Sequence, residues 1–152
     1  MYCYVDQPCA RLSAGSSFLL AAMRRWVEVA MVDQCPLMRL SGPFRHMAMR
    51  PMLDDFHIVM FAIRYADRHR MTFGRTDQPL ITDIEAVLLA LWSDVDAGLS
   101  ARTRAVVTLL VEEAAVELVL RAIARVAAHM ATLQLAPTGL DGIDAGSSDG
   151  AG

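Results

Sequence analysis

The stretch Ser100–Leu135, SARTRAVVTLLVEEAAVELVLRAIARVAAHMATLQL, decides how the chain is read. Between Ala105 and Ala131 its apolar residues occupy most of the circumference of a 3.6-residue period. The polar stripe left over is Glu113, Glu117, Arg121, Arg125 and His129, each four residues from the last. A helix apolar on most sides must be covered on most sides. The stretch therefore predicts one long central helix, stopped by Pro137, with the shorter helical patterns upstream as its covering.

Those patterns follow in order. Ser16 or Ser17 is placed to cap a helix to about Asp33, with Leu19, Leu20, Met23, Val27, Ala30 and Met31 on its apolar face and Arg24, Arg25 and Glu28 opposite. Trp26 falls at the border of the two faces, its indole N–H set to reach a partner, and Cys35-Pro36 ends the segment. Ser41-Gly42-Pro43 reads as a turn or a helix start, with Ser41 placed to cap and Pro43 at a tolerated early position, before a short helical piece from Phe44 to Met49, broken by Arg50-Pro51. A helix from Pro51 to about His69 turns Leu53, Phe56, Val59, Met60 and Ile63 to one face. Asp54 and Asp55 stand in its first turn and Arg68, His69 and Arg70 at its end, as the helix dipole favours. After a loop over Met71–Pro79, Thr82 and Glu85 form the spacing of a capping box. Ile84, Val87, Leu88, Leu91, Trp92 and Val95 then make an apolar face, and Gly98 stops the helix. The fold class is all-α, a single-domain four- to five-helix bundle over residues 16–136. It lies between an irregular N-terminus, residues 1–15, which a start assigned too early would also produce, and a disordered Gly/Asp/Ser tail, residues 137–152.

At 55% hydrophobic and 20% charged, the 152-residue chain has to bury heavily or associate. A net charge of −3 and a pI near 5.7 set it against generic binding to nucleic acid or anionic membranes. All 14 basic residues are Arg, and Lys and Asn are absent; both missing residues have AT-rich codons, so a GC-rich bacterial genome explains the bias. Selection for guanidinium forks would leave Lys elsewhere on the surface. Cys3, Cys9 and Cys35 are odd in number and lack metal spacing, which fits a reducing cytoplasm rather than a disulfide framework. Phe18–Met23 is too short for a secretory core, and the longest apolar run, Ala105–Val111, is far short of the ~20 residues of a membrane span.

One set of side chains suggests metal chemistry. Asp54 and His57 are spaced i,i+3, and Glu113 and Glu117 share a face of the long helix, as facing ligands do in carboxylate bundles. A di-iron bundle needs a carboxylate from each of two helices and two Glu-x-x-His pairs; here only an Asp version of one pair is present. The competing reading leaves Asp54 to complement a helix start, with His57 and the glutamates solvated or paired. His129 likewise closes the polar stripe near a helix C-terminus, and Cys35 reads as a buried small hydrophobe at a helix end. No Ser or Cys sits in a nucleophile elbow, and no cofactor is implied. Arg64, Arg68, Arg70 and Arg75, or the turn Gly98-Leu99-Ser100 feeding Arg102 and Arg104, would serve nucleic-acid contact. Asp94 and Asp96 just ahead of that turn, and the apolar helix after it, oppose this, so no nucleic acid is expected. The composition favours a non-enzymatic protein acting by helix-mediated association with itself or a protein partner, its ten Met suiting adaptable contacts. A metal-binding or metal-dependent bundle on Asp54, His57, Glu113 and Glu117 is the alternative.

From Phe18 to Trp92 the chain resembles a small bacterial family, domain of unknown function 6628. The residues that carry the resemblance are Phe18-Leu19-Leu20 leading into Arg24-Arg25, then Asp33, Gly42, Phe44 and Arg50-Pro51, and finally Pro79, Thr82 and Glu85 ahead of Leu88-Leu89. They are caps, turns and packing positions over about half the chain. The family pattern has a cluster of cysteines before the proline, where this chain has Arg75-Thr76-Asp77-Gln78. The resemblance implies a helical fold and no activity, because the family is uncharacterised.

Overall fold

The computed structural model describes residues 8–66 and 72–135. Within them the chain forms α1 (Ala14–Met31), α2 (Pro36–His46), α3 (Leu53–Ala66), α4 (Asp83–Asp96), α5 (Ser100–Leu110) and α6 (Val116–Thr132). The all-α expectation holds: the described residues contain no strand, and bridging is confined to isolated positions such as Pro8, which pairs with Leu80. The second half of the expected irregular lead-in is pinned there, with a short 3-10 turn over Cys9–Arg11 and the Cys9 N–H donating to the Pro79 carbonyl at 2.8 Å. The expected tail lies outside the described residues, as does the end of the helix read to His69.

The long central helix is two helices. α5 ends at Leu110, Val111 and Glu112 are extended (φ −128°, ψ 168° and φ −65°, ψ 147°), and a 3-10 turn over Glu113–Ala115 leads into α6. Burial and charge both favour the break. Leu110, Val111 and Val116 all reach the core, while Glu112, Glu113 and Glu117 gather at the new N-terminus, where the helix dipole stabilises negative charge. Nor is α6 greasy all round: it buries Val116, Val119, Ile123, Val126 and Met130, and its apparent apolar breadth came from alanines such as Ala124 and Ala128, which are exposed. α6 still holds the middle of the bundle, packing most extensively on α3 and α4, with α5 folded back against α4 and α6.

α2 is a further difference. Pro36 opens a helix rather than merely ending one, a position where its missing N–H costs nothing. Pro43 lies inside that helix, yet Pro36, Leu40 and Phe44 at helical spacing bury against the core and hold it. α1 begins on Ser13, whose Oγ accepts from the Ser16 N–H at 3.3 Å, not on Ser16 or Ser17. Cys35 is exposed rather than buried. The capping box of α4 forms as read: Thr82 Oγ1 accepts from the Glu85 N–H at 3.5 Å, and Glu85 Oε2 from the Thr82 N–H at 2.9 Å.

Four helices end on a left-handed residue: α1 at Asp33 (φ 56°), α2 at Ala48 (58°), α4 at Gly98 (78°) and α6 at Gln134 (57°). In each, the next N–H reaches back to the last turn: Gln34 to Val29 at 3.2 Å, Met49 to Phe44 at 2.6 Å, Leu99 to Asp94 and Leu135 to Met130 at 2.8 Å. Through the core runs a chain of aromatic contacts, Phe18–Phe44 (5.1 Å between centroids), Phe44–Phe56 (5.3 Å) and Phe56–Trp92 (6.1 Å), which ties α1 through α4 together. No helix among the described residues is long and apolar enough to cross a membrane.

Candidate functional site

Two features stand out from ordinary packing, a buried ionic cluster and an apolar outer face. In the cluster, Arg24 and Glu85 are 3% and 0% exposed. Arg24 was expected on the polar side of α1; it is instead drawn inward by a carboxylate 61 positions away. Its Nε and Nη2 donate to the two oxygens of Glu85 at 2.8 and 2.9 Å, a bidentate pair. Nη1 and Nη2 also donate to the carbonyls of Gln78 (2.7 Å) and Leu80 (2.9 Å). Glu85 accepts in addition from the N–H groups of Gly74 (2.7 Å) and Thr82 (2.9 Å). Burial works to raise the Glu85 carboxyl, but the bonds from Arg24, Thr82 and Gly74 and the Arg24 charge outweigh it and hold its pKa below the ordinary value. The hydrogen bonds it donates to Glu85 likewise push the Arg24 guanidinium upward despite burial. Gly74 is required here, since a Cβ would stand 2.8 Å from Arg24 Nη2. With every polar atom of the pair engaged and water excluded, the cluster clamps the 74–82 segment to α1 and has no position open for a substrate.

The outer face belongs to α3. Its inward residues, Leu53, Phe56, Val59, Met60 and Ile63, are the ones the spacing predicts. The opposite arc is not polar. His57, Phe61 and Tyr65 follow in a row, His57 tilted against Phe61 (6.0 Å between centroids) and Phe61 stacked on Tyr65 (6.2 Å), and Phe61 and Tyr65 are 56% and 76% exposed. At the head of the row the Trp26 indole N–H donates to His57 Nδ1 at 3.0 Å, which requires that nitrogen to be unprotonated. Burial lowers the His57 pKa, partly countered by the charge of Asp54 one turn earlier. Beside the row, between α3 and the start of α6, lies a groove of about 480 Å³ lined by Ile58, Phe61, Tyr65, Ala115 and Leu118, with Glu112 at its rim. A second groove of about 310 Å³ follows the other flank, between α1 and α3, with Val27, Met31 and Phe73 on its walls. α3 thus stands as an aromatic ridge with an apolar furrow toward α6 and a mixed one, lined also by Arg64, toward α1.

The structure does not bring the proposed metal ligands together. Asp54 and His57 share the outer arc of α3, Glu113 is exposed in the 3-10 turn, and Glu117 turns to Arg104 of α5 in an ion pair. Glu113 and Glu117 do not share an α-helix: the break at Val111–Glu112 lies ahead of both, and Glu113 falls in the 3-10 turn that leads into α6, where Glu117 sits in the first turn. Among the described residues no group of three or more His, Cys, Asp or Glu side chains is placed to hold a metal ion. His129 meets the Ala48 carbonyl through Nε2 at 2.8 Å, tying α6 to the end of α2. Of the arginines weighed for nucleic-acid contact, Arg102 pairs with Asp94 at 3.5 Å and Arg104 with Glu117, while Arg68 and Arg70 lie outside the described residues. The residues passed over in the sequence are Ile58, Phe61 and Tyr65. A signal for them existed: aromatic rings at 57, 61 and 65 recur every four residues on the side facing away from the core. Comparison with protein-family models, with curated proteins and with solved structures finds no match to the chain.

Proposed function

We propose that the protein is non-enzymatic and acts by helix-mediated association through the α3 face. The observation that carries this reading is the aromatic row His57–Phe61–Tyr65, its last two rings exposed along a helix with an apolar groove on its α6 side. Rigid aromatics at the rim of a groove are the composition of interface centres, and exposed patches of this kind are retained where another surface covers them. Tyr and Phe bring large contact area at low entropic cost. The reading includes a cytoplasmic location, supported by the free thiols of Cys9 and Cys35.

The test is photo-crosslinking in cells that make the protein. A benzophenone amino acid in place of Phe61 yields protein adducts on irradiation, whereas the same group in place of Ala105, exposed on α5, does not. Equal labelling from both positions, or none from position 61, overturns the reading.

A further inference from the structure

We infer that the α3 face takes a second copy of this chain, paired across a two-fold axis with the two α3 helices antiparallel. The inference rests on the reading of that face as the association surface, and it names the partner from the charge pattern of the helix.

The outer arc of α3 has an apolar centre with an acid at its start, and a base stands at the far end of the helix on the flank toward α1. Asp54 lies in the first turn and Arg64 in the last; both are exposed, and neither enters an ion pair among the described residues. By contrast Asp55, on the side toward α6, is answered within the chain by Arg125 at 3.5 Å. In a helix of fourteen residues the antiparallel arrangement sets Phe61 against the partner's His57 and Ile58, and Asp54 against the partner's Arg64. The two-fold axis repeats each contact, so two opposite-charge pairs bracket an aromatic centre. A parallel arrangement would instead oppose Asp54 to Asp54 and Arg64 to Arg64. Self-complementarity of one patch is what a two-fold interface demands. Stacking of Phe61 on Tyr65 already holds both rings, so little side-chain freedom remains to be lost on pairing.

The experiment is light scattering coupled to size exclusion on the full chain at neutral pH and low salt, across a concentration series. The wild type reaches twice the chain mass. Phe61→Asp reduces it to the single-chain mass with unchanged far-ultraviolet circular dichroism, and Phe61→Ala weakens pairing without a buried charge. Asp54→Arg and Arg64→Glu each weaken dimerisation by about tenfold, having replaced two attractive pairs by two repulsive ones. Combined in one chain, they restore it to within about threefold of wild type, because the pairs re-form with signs exchanged. A single-chain mass at every concentration overturns the self-pairing; if position 61 still crosslinks to another protein, the association reading stands without it. A dimer indifferent to Phe61→Asp, or one lost on each single charge reversal and not restored by the two together, overturns the interface or its antiparallel register.

Discussion

Replacing Glu85 by Ala removes the carboxylate around which the 74–82 segment is organised. The guanidinium of Arg24 would remain buried with no counter-ion, and the N–H groups of Gly74 and Thr82 would lose their acceptor. Breaking a buried ion pair from one side costs about 3–5 kcal/mol, and loss of a helix cap about 1 kcal/mol more. These terms overlap, so about 5 kcal/mol is expected, a large share of the roughly 5–15 kcal/mol that holds a domain together. The informative comparison is the paired variant Arg24→Met with Glu85→Leu. Many buried ion pairs can be exchanged for apolar side chains at little cost. Here the pair also serves the backbone: Gly74 and Thr82 lose an acceptor, Gln78 loses a donor, and Leu80 keeps only the Gln78 side-chain amide at 3.3 Å. At about 1 kcal/mol for each stranded group, the paired variant stays about 3 kcal/mol below wild type. Urea unfolding at pH 7 measures this from the midpoint at constant slope. A paired variant within about 1 kcal/mol of wild type would refute the reasoning, since the cluster would then be an ordinary ion pair. The pH dependence has a definite sign: because the folded carboxyl titrates below its unfolded value, its stabilisation is present above about pH 4.3 and is lost as pH falls through the folded pKa.

Three further outcomes follow from the geometry. Protonation of His57 destroys its acceptance of the Trp26 N–H, and its folded pKa is lowered, so stability is complete above about pH 6.5 and declines as pH falls below it; His57→Gln, which keeps an acceptor, should flatten urea midpoints between about pH 7.5 and 5.5. Ala48→Gly should raise stability by about 0.5–1 kcal/mol by relieving the left-handed backbone, and Ala48→Val should lower it by more than that, both read from thermal unfolding. Gly74→Ala should cost about 2–3 kcal/mol, because the new methyl meets a guanidinium pinned by Glu85 and two carbonyls and unable to swing away; equal stability in urea would show that the loop gives instead.

What could be read from the sequence was local. Thr82 and Glu85 announce the start of α4, Gly98 its end, and the spacing of Leu53, Phe56, Val59, Met60 and Ile63 the inward side of α3. The indole of Trp26 found the partner expected of it. Hidden features depend on distant or atypical signals. Arg24 resembles any solvated arginine until its carboxylate arrives from α4. The ends of α1, α2 and α6 use Asp33, Ala48 and Gln134 in a conformation usually given to Gly, so only the prolines a few residues on, Pro36, Pro51 and Pro137, mark them in the sequence. The break before α6 contains neither Gly nor Pro; counting each Ala as greasy concealed the exposed side of that helix and made two helices look like one. Pro43 suggested a turn because its cost inside a helix is general, while the burial of Leu40 and Phe44 that outweighs it is tertiary.

The position of the two indoles divides the optical response of the molecule. Trp92 is stacked on Phe56 in the interior, so its emission follows the integrity of the core. Trp26 is bonded to the imidazole that heads the aromatic row, with 5.7 Å between ring centres. Anything that settles over Phe61 and Tyr65 changes the surroundings of that imidazole and is registered one bond further in. Without a dye or a tag, ultraviolet excitation can thus separate unfolding from occupancy, and the single-tryptophan variants Trp26→Phe and Trp92→Phe assign each signal to its source.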